Sequence, residues 1–65
     1  MTAMSLGVSL YNISESYEQA GDFDRAMECA RESLRVWQTA LPAGHQYIVA
    51  AEKMILDLER ATGRR

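Results

Sequence analysis

Ala20-Gly21-Asp22-Phe23-Asp24-Arg25-Ala26-Met27 is the segment that decides the fold of this chain. Gly21 suits the left-handed conformation that often ends a helix. Asp22 can accept hydrogen bonds from the free amides of a new helix. The segment therefore predicts the end of one helix and the start of another, with almost no chain between them. Two helices joined this closely are expected to fold back on each other as an antiparallel hairpin.

Apolar residues before this segment recur with the period of a helix. The first helix is predicted from about Ser5 to Ala20, with steps of four, three and four residues between its main apolar positions. This spacing predicts one packed helix face. The residues on it are Leu6, Leu10, Ile13 and Tyr17.

Two further amphipathic helices follow the segment. The second is predicted from Asp22 to near Leu41, and the third from about Gln46 to Thr62, with Pro42 and Gly44 between them. The apolar stripe of the third helix consists of Ile48, Ala51, Ile55 and Leu58. No run has the alternation typical of a strand, so the sequence predicts an all-α fold.

Composition limits the classes of function. The chain has 65 residues, enough for one domain, and 48% of them are apolar, which is typical of a folded sequence. Seven basic and nine acidic residues give a net charge of −2 and a pI of about 5.2, which argues against nucleic acid as a partner. Residues 1–14 are uncharged but contain several polar residues and no basic leader. They predict neither a signal peptide nor a membrane span, and a cytoplasmic location is expected.

Catalytic and metal-binding residues are sparse. One cysteine and one histidine cannot form an internal disulfide or a structural zinc site. Cys29 is interpreted as a small helix-packing residue and His45 as a loop residue. No glycine-rich phosphate loop appears, and no pair of metal ligands has a third partner. We therefore expect no catalytic, cofactor or metal site, and a protein that is not an enzyme.

A weak internal repeat links the first and third helices. A shift of 42 residues pairs Leu6 with Ile48, Ile13 with Ile55 and Gly21 with Gly63, but pairs Leu10 with Glu52 and Tyr17 with Glu59. Acidic residues at apolar positions suit a terminal helix with one face in water. The third helix is therefore predicted to be a cap.

The hairpin sequence also resembles a known family. Tyr11-Asn12-Ile13, Tyr17, Ala20 to Glu28 and Ser33-Leu34 together resemble a tetratricopeptide repeat, and Leu34 to Gln46 is similar to the longer repeats of kinesin light chains. The family positions are held here by Leu10, Ile13, Ser14, Tyr17, Gly21, Phe23, Ala26 and Ser33. The resemblance implies a hairpin with a capping helix over residues 5–63, in which small residues let the helices approach. Residues 1–4 would be a leader or cloning-derived, and 64–65 a basic tail.

The resemblance further implies a peptide-binding groove, because the first helices of such repeats line a concave surface. The groove residues would be Val8, Tyr11, Asn12, Glu15, Gln19, Lys53, Met54, Asp57 and Arg60. The Asn12 amide could pair with a peptide backbone, or Asn12 could be simply an exposed helix residue. Basic residues that would clamp a terminal carboxylate are not clustered.

Two aromatic residues are possible partner-binding anchors. Trp37 continues the apolar stripe of the second helix, so it is either a core residue or an anchor that meets another chain. Tyr47, placed in the following loop, is expected to be exposed.

The sequence thus predicts a non-catalytic protein interaction module that binds a peptide or a partner-protein segment. It would be the C-terminal part of a longer repeat protein, because one repeat and a helix form a small core. The alternative is a structural self-association element with no peptide ligand. In either case an apolar face around Leu6, Val8, Leu10 and Tyr11 needs cover, and self-association is expected.

Overall fold

Three helices make up the structure, a computed structural model that describes residues 3–63. They are α1 (Ala3–Gln19), α2 (Phe23–Ala40) and α3 (Gln46–Thr62), and no described residue lies in a strand. The predicted all-α class is confirmed. The predicted start of the first helix, near Ser5, is two residues late. Residues 1 and 2 of the predicted leader, and the predicted tail at 64–65, lie outside the described range.

Left-handed glycines follow the ends of α1 and α3, and side-chain acceptors mark the starts of α2 and α3. Gly21 has φ 83° after α1, and Gly63 has φ 71° after α3, so both occupy the left-handed region that glycine tolerates. The Asp22 carboxylate accepts a hydrogen bond from the Arg25 amide (3.3 Å) at the start of α2. At the start of α3, His45 Nδ1 accepts from the Tyr47 amide (3.1 Å).

Two buried serines join α1 to α2. Ser14 Oγ donates to the Ala26 carbonyl (2.7 Å), and Ser33 Oγ donates to the Gly7 carbonyl (2.8 Å). From Ser14 to Gly7 the chain goes back seven residues along α1, while from Ala26 to Ser33 it goes forward seven residues along α2. The two helices are therefore antiparallel. Both serines are fully buried, and their hydroxyl groups are satisfied by these bonds.

The packed face of α1 differs from the one that the apolar period predicts, although the burial of Ser14 agrees with the small residue that the resemblance places at the helix approach. Leu6 is 42% exposed and Ile13 is 45% exposed, whereas Gly7 and Ser14 are buried on the side that faces α2. The apolar period predicts burial of the larger side chains. Close approach of α1 to α2, however, requires small residues at the contact. The two serine hydrogen bonds offset the cost of burying polar hydroxyl groups there.

The third helix packs on the other side of α2. Met54 and Leu58 join Ala26, Met27 and Ala30 in one buried cluster. Ile48 and Ala51 join Trp37 in a second. Later residues of α3 therefore contact earlier residues of α2, so α3 runs antiparallel to α2 and parallel to α1. Tyr11 of α1 packs against both clusters and brings α1 close to α3.

Four neighbouring rings, packed at tilted or edge-on angles, connect the loop before α3 to α1. The Trp37 ring lies 5.8 Å from Tyr11 and 5.0 Å from Tyr47, and Tyr47 lies 5.0 Å from His45, measured between ring centroids. Trp37 is 2% exposed, so it is a core residue. Tyr47 is half-buried in the first turn of α3, so the expectation of an exposed loop residue was wrong.

The outer face of α3 is less polar than a capping helix requires. Glu52 is exposed and Glu59 is half-buried, but Val49 is 52% exposed and Leu56 is 53% exposed. Under the 42-residue shift, these two apolar residues occupy the places of Gly7 and Ser14. A further helix could therefore not approach α3 as closely as α2 approaches α1. Within residues 3–63, no helix has both the length and the apolar character to cross a bilayer.

Candidate binding groove between the first and third helices

The side of the molecule where α1 and α3 run in parallel is a candidate binding groove. Tyr11 forms its floor, because this half-buried ring packs against both core clusters. The structure leaves seven of the predicted groove residues exposed, namely Val8, Asn12, Glu15, Gln19, Lys53, Asp57 and Arg60. The helix period places Val8 and Glu15 one turn before and after Tyr11.

Acidic groups surround the Tyr11 side chain. Burial raises the pKa of the Tyr11 hydroxyl, and the negative charges of Glu15, Glu18 and Asp57 raise it further. The carboxylates of α1 and α3 thus act on the same side chain. Sequence reasoning missed Glu18, although its spacing of seven residues from Tyr11 places it on the same helix face.

The charged side chains of the groove have no ion-pair partner in the described part of the chain. The ion pairs there join Arg25 to Asp22 (3.5 Å) and Arg35 to Glu32 (4.0 Å), all at residues outside the groove. Glu15 and Asp57 on one hand, and Lys53 on the other, therefore remain available to a ligand. A ligand with both basic and acidic groups would find complementary charges.

Asn12 adds an amide to the rim of the groove. Its backbone carbonyl accepts a hydrogen bond from Ser16 Oγ (3.2 Å), while its side chain is exposed and makes no hydrogen bond with another residue of the 3–63 range. An amide can donate and accept at once, which matches the pattern of a peptide backbone.

Two of the predicted binding residues are not on the surface. Met54 was predicted to line the groove, but it is buried among Ala26, Met27 and Leu58. Trp37, a possible anchor, is enclosed by Tyr11 and Tyr47. Both contribute to the α2–α3 contact, so neither can meet a partner without unfolding of the core. Tyr47 retains only its partly exposed edge.

Cys29 and His45 are not among the predicted groove residues. Cys29 is half-buried on the opposite side of the hairpin, and burial and then Glu28 raise the pKa of its thiol, which disfavours the nucleophilic thiolate. His45 uses Nδ1 as an acceptor at the start of α3. In the range 3–63, no three His, Cys, Asp or Glu residues are placed to hold a metal ion.

Comparison with known proteins gives no relative. No protein-family model matches the chain, no curated protein matches it, and no solved structure matches it. The resemblance to tetratricopeptide repeats therefore stays a prediction.

Proposed function

We propose that this protein is a non-catalytic interaction module that binds a peptide or an extended segment of a partner protein in the groove between α1 and α3. The observation that carries the proposal is the half-buried Tyr11 floor with unpaired charged and amide side chains around it. Aromatic residues in a partly desolvated position are frequent anchors in protein interfaces.

The groove would recognise its ligand by two kinds of contact. The ring of Tyr11 and the Val8 side chain offer an apolar surface to a ligand side chain. Asn12 would pair with the ligand backbone, and the carboxylates near Tyr11 would attract a basic residue. Because three carboxylates act on Tyr11 and the groove has two basic residues, Lys53 and Arg60, we expect ligands with at least one Lys or Arg to be preferred.

A peptide-display screen, followed by affinity measurements on selected peptides, tests the proposal. N12A and D57A change exposed groove residues, and each is expected to weaken binding by about tenfold. Tyr11 is not replaced by alanine, because it also supports both core clusters. Q38A changes an exposed residue of α2 outside the groove and serves as the matched control.

Two results would contradict the groove assignment. Selected peptides that bind N12A and D57A as tightly as the unmodified protein would place the site elsewhere. A screen that returns no binding peptide, from a library rich in basic sequences, would remove the support for an interaction module of this type.

A second candidate function is a structural self-association element. It is favoured by the exposed apolar residues of α1, which include Leu6 and Ile13 on the side away from the groove. Helix period separates these two residues from Val8 and Tyr11 by more than a quarter turn. The two functions therefore use different surfaces and can be tested independently.

A further inference from the structure

The outer side of the hairpin, opposite α3, combines an apolar strip and a charged strip. Leu10 of α1 lies beside Cys29 of α2 in a shallow pocket of the hairpin. Leu6 and Ile13 continue the apolar strip one turn to either side of Leu10. Four charged residues of α2 also line this pocket, namely Glu28, Arg31, Glu32 and Arg35. These two strips together form the outer hairpin face.

The apolar strip carries no charge of its own. Residues 1–14 contain no Asp, Glu, Lys or Arg, and two residues of the strip, Leu6 and Ile13, are exposed large apolar side chains. A second copy that presents the same strip would therefore meet no like charge there. An uncharged, exposed apolar surface is typical of an interface.

The charged strip is complementary to itself when reversed. The order Glu28, Arg31, Glu32, Arg35 reads acid, base, acid, base along α2. An antiparallel copy centred between residues 31 and 32 places Glu28 opposite Arg35 and Arg31 opposite Glu32, and the same two pairs recur by symmetry. Every charge in the strip then faces an opposite charge.

The apolar strip has its own centre of symmetry at almost the same height. Antiparallel pairing of Leu6 with Ile13 of a copy centres on the position between residues 9 and 10 of α1. The serine bonds set Gly7 level with Ser33 and Ser14 level with Ala26, so the centre of the charged strip is level with the position between residues 8 and 9. The two centres differ by one residue, which is about 1.5 Å of helix rise.

We propose that the outer hairpin face binds a second copy of this chain, in a two-fold dimer with α1 against α1 and α2 against α2, both antiparallel. One symmetry axis satisfies both strips because the hairpin register aligns their centres. This proposal deepens the second candidate function. It does not depend on groove binding, because the groove lies on the other side of α1.

Exchange of charges tests the predicted pairing. E28R places two cations opposite each other at two symmetry-related positions, and R35E does the same with anions, so each is expected to weaken self-association by about tenfold. The double variant E28R/R35E restores opposite charges and should return the association constant to within about threefold of the original. E52K changes an exposed residue of α3 outside both surfaces and should have no effect. Sedimentation velocity over micromolar to about 1 mM protein measures the constants.

A crosslink gives a second measurement that does not depend on the charge exchange. With C29S to remove the natural thiol, R31C places a cysteine beside the proposed axis, so mild oxidation should yield a covalent dimer in high yield. E52C in the same background should yield little. Circular dichroism confirms that each variant is helical before it is compared.

The results separate this dimer from other occupants of the face. A chain that stays monomeric at about 1 mM, or a double variant that associates no better than either single one, would overturn the proposal. The face would then be left for a helix of another polypeptide. Unchanged association in N12A together with lost peptide binding would show that the dimer and the groove are separate features.

Discussion

Gly7 offers the sharpest test of how α1 packs on α2. A Cβ atom at this position would lie 2.6 Å from both Cδ1 and Cε2 of the Trp37 indole, and closer still to Nε1. The indole cannot move away easily, because it is 2% exposed and lies between the rings of Tyr11 and Tyr47. G7A must therefore push the two helices apart.

The expected free-energy change has terms of opposite sign. Replacement of glycine by alanine inside a helix stabilises it by about 1 kcal/mol in the absence of other effects. Overpacking against a rigid buried ring costs about 1–3 kcal/mol. Separation of the helices also weakens the 2.8 Å hydrogen bond from Ser33 to the Gly7 carbonyl, which is worth about 1 kcal/mol. We expect a net loss of about 2 kcal/mol, and for a domain of this size a Tm lower by roughly 8–16 °C.

Thermal unfolding followed by circular dichroism measures this change. S9A is the matched control, because Ser9 is an exposed residue of the same helix and its replacement should leave the Tm equal or slightly higher. A G7A protein that melts at or above the temperature of the unmodified protein would show that helix propensity outweighs the contact, and the described approach of Gly7 to Trp37 would be refuted.

Three further predictions concern single side chains. S14A removes the buried hydrogen bond to Ala26 and should lower the free energy of unfolding by about 1 kcal/mol, whereas S16A, which removes an exposed bond within α1, should change it little; urea titration compares the two. H45A removes the acceptor at the start of α3 and should cost about 1 kcal/mol, whereas H45N should retain most of the stability, since asparagine also accepts from helix amides; equal urea midpoints for the two variants would contradict this role. Because the pKa of Tyr11 is raised in the folded state, the unfolded chain loses this proton first as pH rises above 10.0, so stability is complete below that pH and falls above it; Y11F should show a smaller decrease in urea midpoint between about pH 8 and 11.

Part of the candidate site follows from sequence pattern, and part does not. The helix period and the resemblance to tetratricopeptide repeats together placed Asn12, Glu15 and Asp57 on exposed surface, and the structure agrees. Met54 was misplaced because an apolar residue at the edge of a helix face can turn toward either neighbour, and α2 supplied the larger apolar contact. Glu18 was missed because its effect on Tyr11 depends on distance in space as well as on helix spacing.

Local chemistry determined the helices of this protein, and tertiary contact determined their packed faces. The positions of Gly21, Asp22 and Gly63 were sufficient to end and begin helices, because these effects act within a few residues. The family resemblance had given Ser14 as a small residue at the helix approach, but the burial of Gly7 and the exposure of Leu6 and Ile13 required α2 to be in place. Only then can a small side chain gain more from a close approach and a buried hydrogen bond than a large one gains from burial.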